Sequence, residues 1–147
     1  MKNIIVSACL LGVPCRYDGK SKENKKLMEL GNQFNFLPVC PEEYGGLPTP
    51  RVPAEIRNGK VINKNGFNVT ANYIKGAKEV LKMCKLYNCD TAILKSKSPA
   101  CGKGKIYDGT FSGTLIDGNG ITTDLLIKNG IKVYSEDEFI NEYINIE

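Results

Sequence analysis

Near its start the chain reads Asn3-Ile4-Ile5-Val6-Ser7-Ala8-Cys9-Leu10-Leu11-Gly12, an apolar run that leads into a cysteine and then a glycine. The run suits one buried β-strand, and Gly12 with the following Pro14 ends regular structure. The same order, a strand and then a Gly/Pro-rich loop with a cysteine, recurs at Cys40 and Cys101. This recurrence predicts a sheet in which three strands each lead to one thiol.

Strands and helices alternate along nearly the whole chain. Further strands are predicted at 35–39, 91–94 and 131–134, and helices at 22–30, 70–87, 122–128 and 135–143. A small peripheral hairpin is expected over 55–62, with Asn58-Gly59 as its turn. Segment 40–51 is predicted to be a rigid loop without repetitive structure, and 107–120 a tract of turns. The alternation predicts an α/β fold: a single three-layer, Rossmann-like domain over residues 1–147, with a mostly parallel sheet and helices on both faces.

The composition is that of an ordinary globular protein, since 41% of the 147 residues are hydrophobic and 24% are charged. The formal charge of +4 is spread along the chain, so we expect no nucleic-acid partner. No stretch approaches the ~18 apolar residues of a membrane span, and the first apolar run is too short for a signal peptide. We therefore expect a cytoplasmic protein with no membrane partner, and the sequence leaves its oligomeric state open. Its six cysteines are then expected to be thiols, metal ligands or redox groups.

Cys9, Cys40 and Cys101 follow three different predicted strands. Ligands of an open α/β sheet bind beyond the carboxyl ends of its strands, so these three thiols are expected to converge there. The chain contains no histidine, so no imidazole can bind a metal or act as a general base. No Cys-x-x-Cys pair occurs, whereas a structural zinc site would normally use such pairs. Three dispersed thiols therefore predict a metal centre with one open coordination position.

The other three cysteines are interpreted separately. Cys84 lies on the apolar face of the predicted long helix, and Cys89 lies in the turn before the third strand, so both are predicted to be structural. Cys15 follows Cys9 in the same loop. Its role stays open between a fourth ligand, a resolving thiol and a side chain that packs under the loop.

Two further residues are candidates for proton transfer and substrate positioning. Glu42, two residues after Cys40, is the best-placed carboxylate, with a surface charge or a helix-start residue as the alternative. Ser98, three residues before Cys101, is interpreted as a substrate-positioning hydroxyl or as a simple turn residue.

Three motifs in order resemble the thiouracil desulfidase family: Ser7-Ala8-Cys9-Leu10-Leu11-Gly12, Pro38-Val39-Cys40-Pro41-Glu42, and the stretch from Lys95 to Gly102. The similarity extends over almost the entire chain, including the tract 113–122. It implies an enzyme with a 4Fe-4S cluster held by Cys9, Cys40 and Cys101 and with one iron not ligated by protein. Position 15 is commonly apolar in the family, so Cys15 is a departure from its pattern.

The resemblance also implies the reaction. The cluster-dependent enzyme would remove sulfur from a thiolated nucleobase such as 2-thiouracil, giving uracil and sulfide without net electron transfer. A small thiolated pyrimidine is therefore the expected partner. The family's acidic and hydroxyl catalytic groups map onto Glu42 and Ser98. The alternative function, from a different class, is a zinc-binding or thiol redox module without catalysis.

Overall fold

The computed structural model describes the backbone of residues 1–146 and the side chains of residues 1–143. Its strands are β1 (Lys2–Ser7), β2 (Phe34–Val39), β3 (Ala54–Arg57), β4 (Lys60–Asn63), β5 (Thr91–Leu94), β6 (Lys105–Tyr107), β7 (Leu115–Asp117) and β8 (Lys132–Ser135). Its α-helices are α1 (Lys25–Glu29), α2 (Pro41–Tyr44), α3 (Thr70–Leu86), α4 (Ile121–Lys128) and α5 (Glu136–Ile146).

The central sheet consists of four parallel strands in the order β2-β1-β5-β8. Strand β1 lies inside the sheet, with Ile4 opposite Phe36 on β2 and Ile5 opposite Ala92 on β5. The chain goes to one side of β1 to form β2 and later to the other side to form β5. The loops that follow these strands therefore diverge at a topological switch point, which is where open α/β sheets bind their ligands.

Helices cover both faces of this sheet. On one face, α3 and α4 contribute Val80 and Leu126 to a buried cluster with Ile5 and Leu94 of the sheet. On the other face, α1 and α5 contribute Leu27 and Phe139 to a cluster with Ile4 and Ile93. The predicted three-layer α/β fold with a mostly parallel sheet is therefore confirmed. No helix in the described part of the chain is long and apolar enough to cross a lipid bilayer.

Two short antiparallel hairpins lie beside the central sheet. The β3–β4 hairpin was predicted, and its turn residues Asn58 and Gly59 have φ values of 51° and 75°, as a type I′ turn requires. The β6–β7 hairpin lies in and beside the tract 107–120, which was predicted to be rich in turns. Its two strands were not predicted, because the three residues of β7 are all exposed and show no alternation of buried and exposed positions.

Two other boundaries differ from the prediction. Helix α1 begins at Lys25 rather than at residue 22, because the Asn24 side chain accepts a hydrogen bond from the Leu27 N–H at 3.1 Å and caps the helix there. The segment after β2 forms the short helix α2, with Pro41 in its first turn, where a proline is well tolerated. That segment was predicted to be irregular.

A capping box formed by Ser135 and Glu138 begins α5. The Ser135 N–H donates to the Glu138 carboxylate at 2.9 Å, and the Glu138 N–H donates to the Ser135 hydroxyl at 3.2 Å. These two bonds satisfy backbone N–H groups at the helix start, which have no partner within the helix. They fix the point at which β8 turns into α5.

Candidate metal centre

The loops that follow β1, β2 and β5 enclose one cavity of about 560 Å³. Small-molecule sites typically have volumes of roughly 300–1,000 Å³, so this cavity is large enough for a ligand. The five residues predicted to form the site all line it: Cys9, Cys40, Cys101, Glu42 and Ser98. The structure therefore brings together side chains from three separate motifs.

Cys9 lies in a short 3₁₀ turn, Ala8–Leu11, that directly follows β1. The turn ends at Gly12, whose φ of 95° is readily adopted only by glycine. The Cys9 carbonyl accepts hydrogen bonds from the N–H groups of Gly12 at 3.3 Å and Lys22 at 2.9 Å. The backbone that carries this thiol is thus tied to both ends of the loop that contains Cys15.

Cys40 is the residue that precedes α2, and its position depends on how closely α2 packs against α3. A methyl group at Gly76 of α3 would lie 1.9 Å from the Pro41 carbonyl oxygen. A methyl group at Gly45, just after α2, would lie 2.0 Å from the Asn72 carbonyl oxygen. Any side chain at either glycine would therefore push α2, and Cys40 with it, away from α3.

Cys101 lies in a turn that is held from two sides. The Ser98 hydroxyl accepts hydrogen bonds from the N–H groups of Ala100 and Cys101, each at 3.0 Å. The Thr123 hydroxyl of α4 donates to the Cys101 carbonyl at 2.8 Å. A methyl group at Gly120 would lie 2.4 Å from the Ala100 carbonyl carbon, so this turn packs directly against the start of α4.

Each of these close contacts predicts a specific effect on one thiol. Gly76→Ala is expected to displace and expose Cys40 while Cys101 stays protected. Gly120→Ala is expected to displace and expose Cys101 while Cys40 stays protected. Each variant should lose about 1–3 kcal/mol of free energy of unfolding, because atoms are forced into a packed contact. The alkylation rate of each cysteine, followed by mass spectrometry, measures the exposure.

Gly31→Ala is the matched control for these variants. Its methyl group would meet only the Phe36 ring, at 3.9 Å, and Gly31 has no positive φ. It should change neither the stability nor the alkylation pattern. Equal protection of Cys40 in Gly76→Ala and in the wild type would show that the glycine contact does not place this thiol.

The three cavity thiols are buried, with exposed fractions of 8% for Cys9, 8% for Cys40 and 4% for Cys101. A hydrogen bond with Cys15, burial and the nearby Glu42 charge raise the pKa of Cys40. Burial and the same Glu42 charge raise the pKa of Cys101, although hydrogen bonds with Ser7 and Ser98 oppose the increase. The raised pKa values favour protonated Cys40 and Cys101 thiols without a cation, whereas a bound metal would stabilise their thiolates and release the protons.

Cys15 also lines the cavity and is only 4% exposed. The Cys40 thiol donates to the Cys15 carbonyl at 3.7 Å. A hydrogen bond with Cys40 lowers the pKa of Cys15, but a hydrogen bond with Cys9 and burial outweigh it and raise this pKa to about 11. Cys15 therefore lies between two of the predicted ligands, which is compatible with each of its three predicted roles.

The donor set fits a metal–sulfur cluster better than a single ion. Among residues 1–143, no three Cys, Asp or Glu side chains are placed to hold one metal ion. A closed zinc site needs four ligands within about 2.0–2.3 Å of the same ion. The thiols are instead distributed around a cavity, and sulfur ligands without any histidine suit an iron–sulfur cluster.

Glu42 is largely buried beside the thiols, with 12% of its side chain exposed. It lies in the first turn of α2, and it is not a surface charge, which was one of its alternatives. Burial raises the pKa of Glu42, while the charge of Arg51 and a hydrogen bond with Tyr73 lower it. The Arg51 guanidinium lies 3.8 Å from the carboxylate and donates to the Cys15 carbonyl at 3.0 Å. The acidic group is thus held by two buried side chains.

Ser98 has a structural task in this geometry. A hydroxyl has one hydrogen to donate and two lone pairs that accept. The lone pairs accept the two N–H groups of the turn. Ser98 also lowers the pKa of the Cys101 thiol. The structure therefore supports the turn-residue interpretation directly, and a role for Ser98 in substrate positioning stays a prediction.

Sequence reasoning missed several polar residues of the site, among them Tyr73 and Ser7. Tyr73 was predicted only as part of the apolar face of α3, yet it lines the cavity and lowers the pKa of Glu42. A buried tyrosine usually needs a partner for its hydroxyl, so it was a detectable signal on that face. Ser7 ends β1, accepts a hydrogen bond from the Lys95 N–H at 2.9 Å and also lowers the pKa of Cys101. Nothing local in the sequence indicates this effect on Cys101.

Comparisons with known proteins extend the similarity beyond the cavity. Residues 4–138 match the family model described as 2-thiouracil desulfurase. The chain is 42% identical over 145 residues to the uncharacterized protein YbbK of Bacillus subtilis (strain 168), covering 92% of this chain and 96% of YbbK. It is also similar to the solved structure of the 4Fe-4S-dependent thiouracil desulfidase TudS, with 44% identity and a TM-score of 0.90 over the full length of both chains.

Proposed function

The chain belongs to the 2-thiouracil desulfurase family, and we propose that it is an enzyme that removes sulfur from a thiolated pyrimidine such as 2-thiouracil, giving uracil and sulfide. The observation that carries this proposal is the convergence of Cys9, Cys40 and Cys101 with Glu42 on one cavity. The reaction balances as a hydrolysis: water supplies the oxygen of uracil, and the sulfur leaves as sulfide. No oxidant or reductant is needed.

Cys9, Cys40 and Cys101 would hold a 4Fe-4S cluster in which one iron has no protein ligand. Three thiols on three different loops, and no histidine anywhere in the chain, support this ligand set. When bound, such a cluster supplies a Lewis-acidic iron that prefers the soft thione sulfur and polarises the carbon–sulfur bond. The neutral thiols of the cavity would lose their protons as the cluster binds.

Glu42 is the proposed acid–base group. Its carboxylate would accept a proton from the attacking water and return a proton to the departing sulfur or to the ring. Arg51 and Tyr73 would keep the carboxylate directed into the cavity, because both contact it within the protein interior. Ser98 would orient the base or relay a proton through its hydroxyl hydrogen, which the two N–H bonds of the turn do not use.

The free state of all six cysteines supports a reducing location. Cys9, Cys15, Cys40, Cys84, Cys89 and Cys101 form no disulfide. Free buried thiols and an oxygen-sensitive cluster both suit the cytoplasm, where thiols stay reduced. We therefore propose that the enzyme works there.

Sulfide release tests the proposed activity. The protein, purified and reconstituted anaerobically with iron and sulfide, is desalted and incubated with 2-thiouracil, and both sulfide and uracil are measured. We expect the two products in equal amounts, and none from metal-free protein. Protein that carries about four irons per chain but forms no uracil would contradict the proposed substrate. The iron content of that protein would still support cluster binding by the proposed cysteine ligands.

A further inference from the structure

The β6–β7 hairpin carries an unusual residue at its tip. Phe111 lines the cavity and has a φ of 57°, a left-handed conformation that is rare for a bulky aromatic residue. Such conformations persist only where the surroundings enforce them, and they cluster at ligand-binding positions. The enforcing contacts come from the neighbouring hairpin.

Strand β3 fixes the tip through Glu55 and Arg57. One carboxylate oxygen of Glu55 accepts hydrogen bonds from the N–H groups of Gly109 at 3.0 Å and Phe111 at 3.1 Å. The Arg57 Nε donates to the Gly109 carbonyl at 3.1 Å. A methyl group at Gly109 would lie 2.8 Å from the Ile56 carbonyl oxygen, so the tip is pressed against β3. The backbone of Phe111 is thus held before any ligand binds.

Phe111 differs from the other three aromatic residues that line the cavity, Tyr17, Tyr73 and Tyr107. Tyr73 is buried, with an exposed fraction of 3%, and its side chain carries a polar hydroxyl. Tyr17 lies under the Arg16 guanidinium, at 5.6 Å, and is 43% exposed. Phe111 alone among the four has no polar group that would need a partner. The Phe111 side chain therefore makes no hydrogen bond that would hold the face of its ring away from a ligand.

We infer that Phe111 is the residue on which the pyrimidine ring of the substrate stacks, and that Glu55 is the positioning residue that presents it. This inference rests on the proposed function, because it assigns a flat heteroaromatic substrate to the cavity. Stacking suits such a substrate because every nucleobase has a π face, whatever its ring substituents. The thiols line one part of the cavity wall, and Phe111 adds a recognition element from a separate hairpin.

Binding of uracil tests the inference without requiring turnover. Uracil is titrated by calorimetry into cluster-loaded wild type, Phe111→Ala, Phe111→Leu and Phe111→Tyr, and KM and kcat for 2-thiouracil are measured in parallel. We expect Phe111→Ala to raise both the Kd for uracil and KM by about 5- to 150-fold, the range for loss of one base–aromatic stack. Phe111→Leu, which keeps an apolar side chain, should also bind weakly, whereas Phe111→Tyr should restore binding. kcat should change much less than KM.

Two further variants separate stacking from general damage. Glu55→Ala should raise the Kd for uracil in the same direction as Phe111→Ala, with unchanged iron content. Phe67→Ala is the matched control, because Phe67 is 68% exposed and does not line the cavity. The inference is overturned if Phe111→Ala keeps the wild-type Kd and KM. Wild type that binds uracil but releases no sulfide would instead contradict the proposed function.

Discussion

Replacing Cys9, Cys40 or Cys101 singly by alanine is expected to abolish cluster binding. Each thiol comes from a different loop. The loops of Cys40 and Cys101 carry no second cysteine that could replace the lost ligand, whereas the loop of Cys9 also carries Cys15. After anaerobic reconstitution, the iron content should fall from about four per chain to near zero, and the visible absorption of the cluster should disappear. Sulfide release from 2-thiouracil should disappear with it.

Two other cysteines provide the controls for this prediction. Cys84→Ala should keep full iron content, because Cys84 is buried in the core on α3 and does not line the cavity. Cys15→Ala should also keep the iron, because the proposed ligand set needs only Cys9, Cys40 and Cys101. Full iron content in Cys101→Ala would disprove the proposed ligand set. Loss of iron in Cys15→Ala would make Cys15 a fourth ligand.

The sequence predicted the central sheet well because its strands are short apolar runs next to strong breakers. Strand β5 was predicted without error, and all four of its residues are buried. One cysteine follows each of three such strands. Because parallel strands end at the same edge of a sheet, the three thiols could be predicted to converge there. Membership of the desulfurase family, first indicated by the three motifs, is confirmed by the family match over residues 4–138.

The features that sequence reasoning missed depend on contacts between distant segments. Ser7 accepts a hydrogen bond from the N–H of Lys95, which lies 88 positions later, and no local sequence pattern links the two residues. The role of Gly76 is visible only when the Pro41 carbonyl is placed against α3. Phe111 belongs to a tract of turn residues, and its position depends on Glu55 of the other hairpin. Such pairings are properties of the fold and not of any short segment.

Glu42→Gln is expected to leave the cluster in place and to lower the rate of sulfide release by about 10²- to 10⁴-fold, the usual contribution of a general acid or base. Glutamine has nearly the same shape and retains a carbonyl oxygen toward Arg51 and Tyr73, but it cannot accept the proton of an attacking water. The measurement is single-turnover sulfide release from 2-thiouracil, with iron content determined on the same samples.

Glu43→Gln is the matched control for this variant, because Glu43 lies on the same turn of α2 with its side chain exposed. It should keep both the iron and the rate. A near-wild-type rate in Glu42→Gln would remove Glu42 from the chemistry and leave it only a role in the buried pair with Arg51. Together with the cysteine variants, the expected result would separate two proposed functions of one cavity: iron binding by the thiols, and reaction of the bound substrate at the Glu42 carboxylate.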